Sequence, residues 1–218
     1  MFISFELLQK IYYVNSYLKM KKKIIITGGL GYIGTELCKL YSGVSWNNQI
    51  VVIDNRFVSE RVNQIRNWNM QFVHGDILDK ELINKYCKDA DIVHHLAGIT
   101  DVPRTRSESN EEKDKKIRLV AKEGTQNILD AISDKCKIIF PSTHVVYEGI
   151  EKVKNNISED EDLKPVLSYS SSKATNEKQL KDSGKNYIIL RLGSVYGYST
   201  DTARIDIMPN LFSKIASQ

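Results

Sequence analysis

Tyr169 and Lys173 stand four positions apart in a segment of helical character, Tyr169 to Leu180, so both side chains leave one face and can meet one ligand. A free tyrosine has a pKa of about 10, too high for a base at neutral pH, and a neighbouring ammonium would lower it. Such a phenol can exchange a proton with a substrate hydroxyl while the adjacent carbon gives up hydride. Lys173 would supply that ammonium. Thr143, at the end of an apolar run, can hydrogen-bond the same hydroxyl and fix its orientation. Each residue has an ordinary alternative: this spacing arises by chance on amphipathic helices, and a strand-terminal threonine commonly bonds backbone. The signals upstream decide between the two.

The first is Lys23-Ile24-Ile25-Ile26-Thr27-Gly28-Gly29-Leu30-Gly31-Tyr32-Ile33-Gly34, an apolar run that breaks into a glycine turn and enters a helix. Gly28, Gly31 and Gly34 recur every third position, which lets a pyrophosphate approach the N–H groups of the helix start. A glycine pattern alone also fits a plain turn. Its context here is a strand before, a helix after and an acidic residue some twenty positions on. That residue is Asp54, at the carboxyl end of Ile50-Val51-Val52-Ile53, where it can accept from ribose hydroxyls and repel a 2′-phosphate. NAD is therefore expected over NADP, although Arg56 is close enough in sequence to receive such a phosphate.

The elements that must position these groups alternate along the chain. Helix is expected from Thr35 to Tyr41, ended by Gly43, then a strand at Gln71-Phe72-Val73-His74. Asp76 follows it, placed either to take an adenine amino group or to cap the next helix, Glu81 to Cys87. Asp91 to Gly98 reads as a fourth strand, whose small end residues Ala97 and Gly98 admit a flat ligand. Residues 101 to 116 are charged and read as a solvated loop or helix face, and Ile117 to Ile132 as a helix in which Gly124 marks close packing. Lys137 to Phe140 and Tyr187 to Leu190 complete six strands. The alternation gives an α/β fold: a Rossmann-type doubly wound parallel sheet with helices on both faces.

The chain of 218 residues can bury one substantial core. A net charge of +4, from 31 basic and 27 acidic residues spread along it, leaves no nucleic-acid footprint. Cys38, Cys87 and Cys136 have no paired spacing, which fits reduced thiols in the cytoplasm. His94 and His95 suggest no metal, since adjacent strand residues face opposite sides and no third ligand accompanies them. Residues 1–19 have helically spaced apolar residues interrupted by polar ones, neither a membrane span nor a signal peptide. They read as a leader outside the core, with amphipathic packing onto the domain as the alternative.

With these motifs in order, from about Lys21 to Gly197, the chain resembles the extended short-chain dehydrogenase/reductases, specifically the NAD-dependent epimerase/dehydratase group acting on nucleotide sugars. The resemblance rests on Thr27 to Gly34, Asp54-Asn55, Gly75-Asp76-Ile77, His95 to Gly98, Gly124-Thr125, Ser142-Thr143 before Val146-Tyr147, Tyr169 with Lys173, and Arg191 to Gly197. It implies Thr143, Tyr169 and Lys173 as a catalytic trio. It implies cofactor contacts from Gly28, Gly31, Tyr32, Ile33, Gly34, Asp54, Asn55, Asp76 and Ile77, with Leu96, Ala97 and Gly98 lining the site and Tyr169 and Lys173 reaching it. Thr143 and Ser194 would meet the substrate. A homodimer is common in the group.

Departures refine the expectation. Members that remove water from the sugar usually carry Asp-Glu after the catalytic threonine, and His144-Val145 stands here. Ala121 and Ser194 replace asparagines common in the group. Relatives continue well beyond the position of Gly197, so residues 20–197 would be the NAD-binding domain and 198–218 the start of a small substrate domain that is largely missing. The expected activity is epimerisation of a nucleotide sugar through transient oxidation of a hydroxyl. A non-catalytic NAD-binding module, or a nucleotide-sugar dehydrogenase or reductase using the same trio, is the alternative.

Overall fold

The computed structural model describes residues 21–100, 110–197 and 208–218. The expectations for residues 1–19, for 101–109 and, in the 198–218 segment, for 198–207 lie outside these described residues.

Six strands form one sheet: β1 (Lys23–Thr27), β2 (Gln49–Asp54), β3 (Gln71–His74), β4 (Ile92–His95), β5 (Lys137–Thr143) and β6 (Asn186–Leu192). Their order is β3-β2-β1-β4-β5-β6 and every pairing is parallel. Parallel neighbours need crossovers, supplied by helices α1 (Tyr32–Ser42), α2 (Ser59–Asn67), α3 (Lys80–Cys87), α4 (Glu111–Ala131) and α5 (Ser168–Asp182). A further helix, α6 (Met208–Ala216), follows β6 and buries none of its residues.

The strand alternation divides the core in two. Ile24, Ile26, Ile50 and Val52 pack on one face with Cys38 of α1 and Val62 and Ile65 of α2. Ile25, Val51, Ile53 and Val93 pack on the other with Ile83 of α3, Ile128 of α4 and Leu180 of α5. Both faces of the central strands are therefore dry, which explains their continuous apolar runs. Because β1 and β4 are neighbours although two further strands lie between them in sequence, the chain leaves their carboxyl ends in opposite directions and opens a crevice there.

Several expected boundaries move. The charged stretch read as a loop or helix face contains the first turns of α4: Asn110 caps it by accepting from the N–H groups of Glu112 and Lys113, and Glu111, Glu112 and Asp114 complement the helix dipole. Charge masked the helix because its outward face is polar. Asp79, not Asp76, caps α3, accepting from Leu82 N–H at 3.0 Å. Gly43 does end α1, but in right-handed conformation at φ −67°, without a left-handed cap. Helices α2 and α6 were missed because few of their residues are apolar at helical spacing in α2, and α6 follows the last expected strand. Among the described residues, no helix is long and apolar enough to cross a membrane.

Ile138, the second residue of β5, is fully buried. Its replacement by alanine is expected to lower unfolding free energy by roughly 2 to 5 kcal/mol in urea denaturation followed by circular dichroism. Val153, almost wholly exposed, is expected to tolerate the same change within about 0.5 kcal/mol.

Candidate active site

A cleft of about 1320 Å³ runs along the carboxyl ends of the strands, and all the site residues expected from the sequence line it, from Gly28 through Asp54, Asp76 and Ala97 to Thr143, Tyr169, Lys173 and Ser194. Its floor is set by how closely the loops after β1 and β4 approach. A Cβ on Gly28, whose φ is +69°, would sit 2.7 Å from Ala97 N. One on Gly34 would sit 2.4 Å from Gly28 O. Gly31 differs: its added Cβ would have Gly28 O at 3.2 Å and Arg56 Nη2 at 3.7 Å as its nearest neighbours. The space beside it therefore faces the cleft. Helix α1 begins at this glycine with no side-chain cap and no acidic residue in its first turn, so its N–H groups keep their preference for an anion. These residues fit the phosphates of a dinucleotide.

Asp54 is buried, and its carboxylate stitches the glycine turn to the end of β2. Its Oδ2 accepts from Leu30 N–H at 2.9 Å and its Oδ1 from Arg56 N–H at 2.9 Å, with Arg56 Nε at 3.4 Å. A carboxylate has about four acceptor directions and three are taken, so one remains for a ribose hydroxyl. Arg61, absent from the sequence expectations, donates from Nη1 to Leu30 O at 2.7 Å and joins the lining. Asp76 accepts from Asn55 Nδ2 and from Leu78 N–H, both at 2.9 Å. Tyr32 donates to Gly197 O at 2.7 Å, tying the start of α1 to the chain beyond β6.

At the other end, α5 presents Tyr169 and Lys173 beside the end of β5. The Lys173 amine donates to Pro141 O at 2.8 Å and lies 4.4 Å from the Phe140 ring centroid and 5.8 Å from that of Tyr169. Burial pulls its pKa down to about 8, opposed by the nearby Glu177 carboxylate. Thr143 Oγ1 accepts from Val145 N–H at 3.3 Å, starting the 3-10 turn His144–Tyr147. This backbone contact is the ordinary role weighed for a strand-terminal threonine, and the residue lines the cleft as well.

Beneath the cleft, His95 links four elements. Its Nδ1 lies 3.0 Å from Thr27 Oγ1 and its Nε2 3.0 Å from Thr125 Oγ1, which accepts in turn from Asn176 Nδ2 at 3.0 Å. Burial, with the Lys173 charge adding to it, pushes the His95 pKa down to about 3, so the ring is neutral. His94 points to the opposite face and pairs with the Tyr41 hydroxyl at 2.8 Å. The strand alternation inferred from the sequence separates the two rings. Gly124 lies where a Cβ would meet Ile77 Cδ1 at 2.3 Å, so the close packing inferred for it is against the residue that lines the cleft after β3.

Two carboxylates here carry functions the sequence signals did not single out. Glu148 Oε1 accepts from the N–H groups of Val166 and Leu167 at 2.8 and 2.7 Å and from the Ser170 hydroxyl, securing the entry to α5. Glu177 accepts from Ser142 Oγ at 2.5 Å and, in a forked pair, from Arg191 Nη2 at 2.7 Å and Nε at 3.1 Å. Glu177 follows Lys173 by one helical turn, a spacing that marks it as sharing the Lys173 face.

Comparison with known proteins agrees with this geometry. A model of the NAD dependent epimerase/dehydratase family matches residues 24–218. CDP-paratose 2-epimerase of Salmonella typhi is 31% identical over 205 residues, covering 80% of this chain and 58% of that protein. The dTDP-D-glucose 4,6-dehydratase of Dictyostelium discoideum is 31% identical over 197 residues, covering 81% of this chain and 44% of its own. The chain thus spans about half the length of these curated relatives. A solved structure of UDP-glucuronic acid 4-epimerase from Bacillus cereus, in complex with UDP-glucuronic acid and NAD, superposes with a TM-score of 0.70 at 27% identity, covering 89% of this chain and 63% of that one.

Two stability outcomes follow from the site geometry. Gly34→Ala is expected to lower the melting temperature by several degrees, since loop backbone must move, whereas Gly43→Ala, with nothing within 4 Å of its Cβ, is expected to match wild type or exceed it. Lys173→Met is expected to raise unfolding free energy at pH 7 by on the order of 1 to 3 kcal/mol. The sign follows from a folded pKa of about 8 against the ordinary lysine value of 10.5: the cost of the buried charge is complete below the lower value and fades as pH rises to the upper one. The stability difference between variant and wild type, measured by urea denaturation, should therefore shrink from pH 8 to about 10.5.

Proposed function

The chain belongs to the NAD dependent epimerase/dehydratase family, and from that premise we propose that it is the NAD-binding part of a nucleotide-sugar epimerase. The observation that carries the reading is the convergence of an uncapped glycine-turn helix, Asp54 and the Thr143, Tyr169 and Lys173 side chains on one cleft at the sheet's switch point. Gly28 to Gly34 and Asp54 would hold the pyrophosphate and ribose of the cofactor, Asn55, Asp76 and Ile77 its adenine end, and Leu96 to Gly98 its flat surfaces. Bound there, NAD would supply a reversible hydride acceptor for a sugar carbon, with no net consumption over a full cycle.

The chain's own residues manage the proton and the orientation. Tyr169 exchanges the proton of the sugar hydroxyl through its phenol oxygen. Lys173 sets a positive charge beside that ring and reaches the nicotinamide ribose. Thr143 and Ser194 orient the sugar from the ends of β5 and β6. Residues 20–197 form the cofactor-binding domain in this reading, and 198–218 begin the substrate region. A cytoplasmic location accords with three buried, free cysteines, and a homodimer is carried over from the family resemblance.

The relatives include both epimerases and a dehydratase, so similarity alone does not choose the reaction. The residues after Thr143 favour epimerisation. His144 Nδ1 donates to Leu192 O at 3.1 Å and Val145 has no ionisable group, so the pair supplies no carboxylic acid and carboxylate for removing water.

Calorimetry on the full chain should show NAD uptake by wild type and by Tyr169→Phe alike. With a panel of UDP-, CDP- and dTDP-sugars, wild type should interconvert one epimer pair without net NADH, and Tyr169→Phe should lower kcat at least about 100-fold. Steady NADH accumulation would instead indicate a dehydrogenase, and NAD binding without turnover of any sugar a non-catalytic module.

A further inference from the structure

Helix α5 grips β5 at two consecutive residues. Lys173 Nζ donates to Pro141 O at 2.8 Å, and one turn later Glu177 Oε1 accepts from Ser142 Oγ at 2.5 Å. The next residue is Thr143. Glu177 is 1% exposed and is itself held by the Arg191 fork, whose residue stands opposite Ser142 in the β5–β6 register. Arg191 also donates to the Tyr147 hydroxyl and, at 2.8 Å, to Glu159 O, so the same charge pair anchors the turn after β5 and the connection into α5.

We propose that Glu177 is a positioning residue of the site: with Lys173 it clamps β5 to α5 just before Thr143, setting Thr143 against Tyr169, and its charge keeps the buried Lys173 amine an ammonium. This rests on the roles proposed above for Thr143, Tyr169 and Lys173.

The electrostatic half follows from what surrounds the amine. On α5 the nearby titratable groups are Tyr169 and Glu177, and β4 contributes His95, which is neutral. From β5 come an aromatic ring and a carbonyl. The cleft adds His144 and Glu148 from the turn after β5, and Lys113 and Lys116 from α4. Glu148 is engaged by the start of α5, and the lysines carry the same sign as Lys173. Glu177 is the carboxylate whose charge acts on the amine against burial. Burial alone would raise the carboxyl's own pKa, but the hydrogen bonds from Arg191 and Ser142 outweigh it, so Glu177 is ionised.

The test is the titration of Lys173 in the full chain without cofactor or sugar, by NMR of [13Cε]lysine with the signal assigned through Lys173→Arg. Glu177→Gln keeps the shape and removes the charge, and its midpoint should fall by about one pH unit or more relative to wild type. Since that variant leaves the Arg191 charge without a carboxylate, Glu177→Gln/Arg191→Met provides a second variant in which the midpoint should fall likewise. For turnover, kcat should drop at least about tenfold while NAD affinity changes less than about threefold. An unchanged Lys173 midpoint in the folded variants, or a kcat equal to wild type, overturns the proposal. A wild type that binds no NAD would sink the epimerase reading, and the titration would still decide whether Glu177 acts on Lys173.

Discussion

The close approach of the loops after β1 and β4 governs this molecule. A Cβ at Gly28 would fall 2.7 Å from Ala97 N, so the backbone there can be supplied only by a residue without a side chain and tolerant of positive φ. That contact lies at the point where the strand order reverses. It brings the uncapped start of α1 to the crevice, and Asp54 completes the turn by accepting from Leu30 N–H. Everything else in the cleft is placed relative to this corner.

The opposite end of the cleft works by a different constraint. A lysine amine is held in surroundings that disfavour its charge, pulling its pKa to about 8. The packing around it limits the penalty with a carbonyl, an aromatic face and the Glu177–Arg191 pair, and it keeps His95 neutral behind the strand. Such an arrangement costs stability and leaves an amine whose protonation is sensitive near neutral pH. Sites that do proton chemistry commonly concentrate such costs. The apolar halves of the core, with Ile25 and Ile26 wholly buried on opposite faces of β1, provide the offset.

Much of this was legible in the sequence because it is written in local chemistry. Unbroken β-branched runs match strands buried on both faces of a parallel sheet, and the glycine spacing with Asp54 marks the crevice. The spacing of Tyr169 and Lys173 became informative only with the glycine turn, Asp54 and Thr143 read beside it. The contacts that were not legible are those between residues far apart in the chain. Ser142, Glu177 and Arg191 look ordinary singly, and their meeting depends on β5–β6 register and on the crossing of α5. Asp79 outcompeted Asp76 as a helix cap because Asp76 is turned toward Leu78 and Asn55. The first turns of α4 were hidden by charge, a signal equally suited to a loop.

The central claim is that one dinucleotide lies from the glycine turn to Tyr169 across the strand ends. Titrating NAD into the 15N-labelled chain and following backbone amides tests it most directly. A single saturating process is expected to move the amides of Gly28 to Gly34, Asp54 and Asn55, Leu96 to Gly98, and Thr143 together, at a common dissociation constant. Shifts confined to one end of the cleft, scattered outside it, or absent at millimolar NAD would contradict it.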